Sequence, residues 1–145
     1  MIRISEHMID PENEMKSFRE KQSNSGAIAS FIGVVRDDGR TESLTLSHYP
    51  GFTERQIEVF AEEAKRRWAY QDSLILHRVG RMMTREPIVL VAVSAPHRRA
   101  AFEACDFLMD KLKCEAPFWK QETIGGQTKW IEPRAEDRTD LDRWS

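Results

Sequence analysis

The stretch KLKCEAPFWKQE, residues 111–122 of this 145-residue chain, sets lysines and a cysteine beside an aromatic pair. If it forms a strand, Lys120 alternates with Trp119, so one of the two side chains faces outward or into a cleft. A lysine that an aromatic wall partly desolvates has a lowered pKa and can hold an anion or transfer protons. Lys120 is therefore a candidate general acid, general base or anion holder, although a solvent-facing strand lysine is the default interpretation of the pattern alone.

Lys113 is the second candidate lysine. In a helix it shares a face with Phe102, Asp106 and Met109, at spacings of four, three and four residues. That face lies beside the apolar core stripe, and Asp106 offers Lys113 an ion partner. Lys111 instead fits a solvated lysine at a helix C-terminus, where the helix dipole stabilises a cation.

The two cysteines are poor candidates for chemistry. Cys114 has no histidine close to it in sequence, and a helix C-terminus disfavours a thiolate. Cys105 falls on an apolar stripe and fits core packing. Two cysteines and four scattered histidines also lack the paired spacing of a zinc site, so we expect no structural metal.

A cluster of cations opens the helix predicted in SAPHRRAAFEA. There His97, Arg98 and Arg99 face the positive end of the helix dipole, which costs an exposed cation about 0.3 to 1 kcal/mol. A bound phosphate or carboxylate would compensate, because free backbone N–H groups and arginine both bind anions. We therefore predict an anion site at His97 and Arg98, whereas Arg99 is expected to pair with a surface carboxylate.

Arg36 is a further cation whose role the sequence leaves open. It closes a strand that carries Phe31, and it precedes two acidic residues, Asp37 and Asp38. A salt bridge to its own turn and an anion-binding role explain Arg36 equally well.

Size and charge narrow the class of protein. A chain of 145 residues and 16.9 kDa suits one compact domain with a real core. Its 22 basic and 24 acidic residues give a net charge of -2, so no overall positive field attracts nucleic acid. No apolar run approaches the length of a membrane span, and the N-terminus lacks the apolar core of a signal peptide, which indicates a cytoplasmic protein.

Apolar periodicity and capping residues predict three main helices. The first follows Asp10, and the second begins with a capping box formed by Thr53 and Gln56. The third begins at Pro96 and runs to about Lys113.

Strands are predicted in MIRIS, at 26–36, and in TESLTLSHY, SLILHRVGRM, PIVLVAVSA, FWKQETI and QTKWIE. The DDGR turn predicts that 26–36 and TESLTLSHY form a hairpin, and Gly125-Gly126 predicts another. PIVLVAVSA is apolar enough for the middle of a sheet. Because hairpins outnumber crossovers, the order of elements predicts an α+β fold with mostly antiparallel sheet.

Several of these stretches together resemble one family. GAIASFIGVVR, LSHYPGF, HRVG, SAPHRRAAFEACDFLMDKLK and APFWKQE occur in the order found in the large, catalytic subunit of molybdopterin synthase. HRVG alone is a weak signal, but the ordered set is highly specific. The resemblance implies one hammerhead-like α+β catalytic domain over residues 1–135, followed by a charged C-terminal tail at 136–145.

The resemblance implies a sulfurtransferase of molybdenum cofactor biosynthesis. Such enzymes convert cyclic pyranopterin monophosphate to molybdopterin with sulfur from the thiocarboxylated Gly-Gly end of a small ubiquitin-like subunit. They are heterotetramers around a central dimer of large subunits, and no resident cofactor is expected. In this sequence the family's catalytic lysines are matched by Lys113 and Lys120, and its substrate-binding residues by Arg36, His97, Arg98, Arg134, Phe31 and Met109. His97 and Arg98 are expected to reach the site from the second large subunit.

Two other classes of protein stay open at this point. One is a non-catalytic module that binds a phosphorylated metabolite or RNA, although RNA binding would require basic residues among exposed aromatics on a sheet face. The other is a scaffold subunit that dimerises without turnover, which the presence of both lysines and the His-Arg pair argues against.

Overall fold

Two four-stranded sheets and four helices make up the fold, which a computed structural model describes for residues 1–145. The strands are β1 (Ile2–Ser5), β2 (Ala27–Val34), β3 (Thr41–His48), β4 (Asp72–Arg78), β5 (Gly80–Met83), β6 (Pro87–Ala95), β7 (Phe118–Ile124) and β8 (Gln127–Ile131). The helices are α1 (Pro11–Glu20), α2 (Phe52–Arg67), α3 (Arg98–Cys114) and α4 (Ala135–Asp142). Only β1 and β4 pair in parallel, so the predicted α+β class with mostly antiparallel sheet is confirmed. None of the helices has both the length and the apolar character that a membrane crossing requires.

The first sheet has the strand order β1-β4-β6-β2 and supports the main core. Its strand β6 lies between β4 and β2 and is buried from Val89 to Ala95, as its apolar run predicted. Ile57 of α2 and Phe107 of α3 are fully buried against one face, and Phe18 of α1 is buried on the other. Burying one such side chain contributes about 1.5 to 3 kcal/mol.

The second sheet has the order β5-β3-β7-β8 and carries the second half of the lysine stretch. Its β7–β8 hairpin is the one predicted at Gly125-Gly126, whose φ angles of 55° and 76° are those that a type I′ turn requires. Leu44 and Leu46 of β3 form a small core with Met82 of β5. Because β7 pairs with β3 on one side and β8 on the other, both edges of this strand are occupied.

Two strand predictions are wrong. The strand at 26–36 forms no hairpin with TESLTLSHY, because β2 pairs with β6 in the first sheet while β3 pairs with β5 and β7 in the second. SLILHRVGRM is not one strand, because Gly80, with a φ of 85°, directs the chain from β4 in the first sheet to β5 in the second. A turn signal shows that the chain changes direction, but it does not identify the sheet that each strand joins.

The start of α2 also differs from the prediction. Gly51 is the N-cap, and the Glu54 carboxylate accepts its backbone N–H at 2.9 Å, so the predicted Thr53–Gln56 capping box does not form. Thr53 is fully buried, and its hydroxyl donates to the Pro117 carbonyl at 3.3 Å. This hydrogen bond attaches α2 to the start of β7.

The C-terminal residues form a helix, α4, and pack on α3. Beyond α4, the Trp144 ring lies edge-on to Trp68 and Phe107, at centroid distances of 5.3 and 5.7 Å. The helix itself has no buried residue, so it lacks the apolar stripe from which periodicity predicts a helix. The boundary between a domain at 1–135 and a tail at 136–145 stays a prediction.

Candidate active site

An open pocket lies where α3 packs against the edge strand β2, and its volume is about 380 Å³. It brings together three of the predicted site residues, Phe31 of β2 with Met109 and Lys113 of α3. The other lining residues are Ala29, Ser30, Phe102, Cys105, Asp106, Asp110 and, from α4, Asp137. Apolar side chains beside a few charged groups suit a ring system, and Lys113 is the one cation in this lining.

Lys120 lies on the inner face of the second sheet. Its cross-strand neighbours are Leu46 of β3 and Ile131 of β8, both of which pack in the small core of that sheet. Trp119 points to the opposite face, where its ring meets that of Tyr49 edge-on at a centroid distance of 4.6 Å. The predicted alternation of these two residues therefore directs the lysine inward.

Lys120 and Lys113 share one electrostatic environment. Burial lowers the pKa of Lys120, and the positive charge of Lys113 lowers it further. The carboxylates of Asp137 and Glu122 act on this pKa in the opposite direction. Neither lysine takes part in a salt bridge. The fold thus places two uncommitted amines near each other, and Lys120 releases its proton more readily than a free lysine does.

The ion pairs on α3 differ from those expected. Asp106 binds Arg143 at 3.0 Å, so it is not the partner of Lys113. Lys111 was expected to be solvated, but its side chain is only 14% exposed and pairs with Glu115 at 2.9 Å. Lys113 is therefore the lysine at the end of α3 that is free to bind a ligand.

His77 is a titratable residue beside the lysines that sequence patterns do not single out. Its buried ring stacks on Phe118 at a centroid distance of 4.0 Å, and its Nδ1 lies 3.0 Å from the Arg78 carbonyl oxygen. Burial lowers its pKa to about 4, and the charges of Lys113 and Lys120 contribute to that shift. His77 belongs to the HRVG motif. Because β4 is buried almost throughout, it shows no alternation of apolar and polar positions that would mark His77 as different from its neighbours.

We expect His77 to make the fold acid-sensitive. Folding lowers the pKa of His77 from 6.5 to about 4. At a pH between these two values, His77 is mostly protonated in the unfolded chain and mostly neutral in the folded chain. The contribution of His77 to the free energy of unfolding is therefore fully present above pH 6.5 and is lost as the pH falls towards 4. Between pH 7 and pH 5 the free energy of unfolding should fall by about 2 kcal/mol for this reason. Urea unfolding of the wild type and His77→Gln at both pH values measures it, and an equal loss in both proteins would contradict this role.

His97 and Arg98 do not reach this pocket within one chain. His97 is the N-cap of α3, which begins at Arg98 and not at Pro96, and Arg98 lies about 22 Å from Lys113 along the helix axis. Both side chains are exposed and without salt bridges, and the same holds for Arg99, which was expected to be paired. A second depression, of about 360 Å³, lies beside Pro96 and has no charged residue in its lining.

Arg36 is exposed just beyond β2 and forms no salt bridge. The two carboxylates that follow it are engaged elsewhere. Asp37 pairs with Arg85 at 2.9 Å, and Asp38 accepts the backbone N–H of Thr41 at 2.8 Å. A salt bridge to its own turn therefore does not explain Arg36, which leaves its guanidinium available to an anion.

Arg134 lies close to the lysines as the N-cap of α4. Its backbone N–H and its guanidinium both donate to the Asp137 carboxylate, each at 3.1 Å. Its charge contributes to the lowered pKa of Lys120. Because the guanidinium is also largely exposed, it can bind an anion while it stays attached to Asp137.

Both thiols are poor nucleophiles. Cys105 lines the pocket, but burial raises its pKa to about 12. Burial also raises the pKa of Cys114, so a thiolate is disfavoured at either position. The candidates for chemistry at this site are therefore the amines of Lys113 and Lys120, with guanidinium groups as candidate anion binders.

Comparison with known proteins identifies the family. The family model described as MoaE protein matches residues 4–115. The molybdopterin synthase catalytic subunit of Caulobacter vibrioides is 46% identical over 145 residues, which cover 99% of this chain and 97% of that protein.

Solved structures agree with this match. The molybdopterin biosynthesis MoaE protein of Burkholderia ambifaria superposes with a TM-score of 0.86 at 44% identity, over 99% of this chain and 97% of that one. Molybdopterin synthase of Staphylococcus aureus superposes with a TM-score of 0.80 at 30% identity, over 88% and 94% of the two chains. The resemblance seen in the motifs is confirmed. The chain belongs to the MoaE family, whose curated members bear the name molybdopterin synthase catalytic subunit.

Proposed function

We propose that this chain is the catalytic subunit of a molybdopterin synthase and converts cyclic pyranopterin monophosphate to molybdopterin. The sulfur comes from the thiocarboxylated C-terminus of a small partner subunit. The observation that carries this proposal is the position of two lysines without ion partners: Lys113 lines the apolar pocket, and Lys120 lies near enough for the charge of Lys113 to lower its pKa. A purely non-catalytic binding module would not account for membership in a family of enzymes.

The lysines suit the chemistry of this conversion. A cyclic phosphate has to open and a ring carbon has to accept sulfur, so negative charge develops on oxygen near the site of attack. Fixed cations stabilise such charge, and an amine with a lowered pKa can also transfer the proton. Lys120 is the better proton-transfer group because burial lowers its pKa, and Lys113 is the better anion holder because it is exposed on the pocket wall.

The pterin ring and its phosphate require different surfaces. We assign the ring to the wall formed by Phe31 and Met109. The phosphate is assigned to Arg134 and Arg36, whose guanidinium groups are exposed. Arginine binds phosphate through two parallel hydrogen bonds, which orients the phosphate as well as neutralising it.

A second copy of the chain supplies His97 and Arg98 in this proposal. The strand β2 is an edge strand of the first sheet, and it exposes Phe31 and Ile32 by 42% each and Val34 by 54%. An unpaired apolar strand edge favours association with another chain. We infer a central homodimer within a heterotetramer, with the anion site at the start of α3 in one copy facing the lysines of the other.

The sulfur donor reaches the lysines through an extended Gly-Gly tail. Glycine has no side chain, so such a tail fits a narrow cleft. The inner face of β7, next to Lys120, forms the wall along which we place it. We place the reaction in the cytoplasm, where the two free thiols of the chain stay reduced.

Reconstitution with three forms of the small subunit tests the proposed function. The thiocarboxylated form should yield a dithiolene product, whereas the unmodified carboxylate form should dock and yield none. A form shortened by its last two residues should dock more weakly and also fail to transfer sulfur. Undiminished product formation with the shortened form would contradict tail insertion.

A further inference from the structure

Asp137 is one of three carboxylates that line the pocket beside its one cation, Lys113, and the other two, Asp106 and Asp110, both pair with Arg143. It lines the pocket together with Lys113, and its side chain is only 12% exposed. A carboxylate there repels a phosphate, so its presence requires a reason. Two roles account for it: its oxygens bind Arg134, and its charge acts on the neighbouring lysines.

Both oxygens of Asp137 bind Arg134. Its Oδ2 accepts the Arg134 backbone N–H at 3.1 Å, and its Oδ1 accepts the guanidinium at 3.1 Å. Asp137 is the third residue of α4, where a carboxylate bonded back to the N-cap stabilises the helix start. The bond from the guanidinium limits the rotation of the Arg134 side chain.

The charge of Asp137 acts on both lysines at once. Burial raises the pKa of Asp137, but its hydrogen bonds from Arg134 and, after them, the positive charge of Lys113 lower this pKa overall. Asp137 in turn raises the pKa of Lys120 against the effect of burial. Neither lysine forms a direct salt bridge with it, so both ammonium groups stay free to bind a ligand. Two neighbouring ammonium groups repel each other, and a shared counter-ion offsets that repulsion.

The position of Asp137 depends on the anchoring of α4 to α3, the helix that carries Lys113. At its C-terminal end, Arg143 binds Asp110 at 2.7 Å, and the Trp144 indole N–H donates to the same carboxylate at 2.6 Å. Arg67 of α2 also donates to the Trp144 carbonyl at 2.6 Å. The C-terminal end of α4 is therefore held against α2 and α3.

We propose that Asp137 is a positioning residue of the sulfur-transfer site, which orients Arg134 towards the pocket and serves as the shared counter-ion of Lys113 and Lys120. This inference rests on the proposed function for the identity of the reaction. It extends the site into residues 136–145, which the sequence assigns to a charged tail. Asp137 touches no reacting atom in this account and acts through the three cations around it.

A titration of Lys120 in the substrate-free protein tests the counter-ion role. With isotope-labelled lysine, NMR should show the titration midpoint of Lys120 shifted downward by about 0.5 to 1 pH unit in Asp137→Asn. Asp137→Glu keeps the charge and should restore a midpoint near that of the wild type. The matched control is Asp142→Asn, an exposed carboxylate of the same helix, which should leave the midpoint unchanged. In the wild type, the charged and titratable groups that face Lys120 are Lys113 of α3, Arg134 and Asp137 at the start of α4, Glu122 of β7 and His77 of β4, and only Asp137 is changed in the test variants.

Kinetics then test whether this role matters in the reaction. The alkaline limb of the pH profile of kcat/KM reports the free enzyme, so in Asp137→Asn it should move to lower pH by the same amount as the NMR midpoint. If Asp137→Asn does not fold, Asp137→Ser, which keeps a hydrogen-bond acceptor without the charge, replaces it in both measurements. An unchanged midpoint in a folded variant, or an equal shift in Asp142→Asn, would overturn the proposal. A wild-type protein that makes no dithiolene would overturn the proposed function instead, and the NMR titration would still test the counter-ion role.

Discussion

Replacing Lys120 with alanine should reduce dithiolene formation by about a hundredfold to ten-thousandfold, the usual contribution of a positioned proton-transfer group. The stability of the fold should change by no more than about 1 kcal/mol. Burial lowers the pKa of this lysine, so its charged form destabilises the fold. The substitution removes this destabilising charge and also the packing of the side chain, and the two effects offset each other. The measurement is turnover at saturating small subunit, alongside urea unfolding of the same preparation.

Two further variants separate the roles that Lys120 could have. Lys120→Arg keeps a positive charge but does not release a proton at neutral pH, so it restores activity only if the charge alone is needed. Cys114→Ser is the matched control nearby, and it should leave turnover nearly intact because burial raises the pKa of that thiol. Wild-type turnover in Lys120→Ala would show that the site is placed wrongly, and an inactive but folded Cys114→Ser would point to a thiol nucleophile.

Replacing Arg98 with alanine should weaken binding of the pterin phosphate by about tenfold to a hundredfold, because a charge-assisted hydrogen bond contributes about 1.5 to 3 kcal/mol. Binding of the small subunit should not change. Arg99→Ala is the matched control, since Arg99 is the next residue of α3 and is also exposed without an ion partner. Calorimetry with the cyclic pterin measures the difference, and equal losses in both variants would point to a general charge effect.

Mixed dimers test whether Arg98 acts across the subunit boundary. Within one chain Arg98 and Lys113 lie at opposite ends of α3, so a shared site needs a second copy. If Arg98→Ala and Lys120→Ala proteins exchange subunits, each mixed dimer contains one intact site and should regain activity. Mixed dimers confirmed by mass that are no more active than either parent would place Arg98 and Lys120 in the same subunit's site.

Local signals in the sequence predicted several elements of the fold. Pro11 and Asp10 begin α1 as expected, and the two glycines at 125 and 126 adopt the positive φ angles of the predicted hairpin. The alternation in β7 placed Lys120 and Trp119 on opposite faces as expected, although it did not say which of the two lies inward. These predictions succeeded because each depends on residues that are neighbours along one element.

Contacts between distant segments were harder to predict. His77 and Phe118 stack because β4 and β7 belong to different sheets that meet at this point, and no spacing in the sequence reports that contact. Asp137 reaches the pocket because Trp144 and Arg143 attach α4 to α3, although α4 has no apolar stripe. The signals that could have drawn attention to α4 are a tryptophan at the end of a polar segment and Asp137 three residues after an arginine N-cap.

The most direct test of the central claim is to follow the sulfur itself. The wild-type chain is mixed with cyclic pyranopterin monophosphate and a small subunit whose thiocarboxylate carries a heavy sulfur isotope. The mass of the dithiolene product is then measured by mass spectrometry. Because burial disfavours a thiolate at Cys105 and at Cys114, we predict that both sulfurs of the product are labelled. Unlabelled sulfur in the product, or no dithiolene while the small subunit is docked, would contradict transfer from the partner's tail at the lysine site.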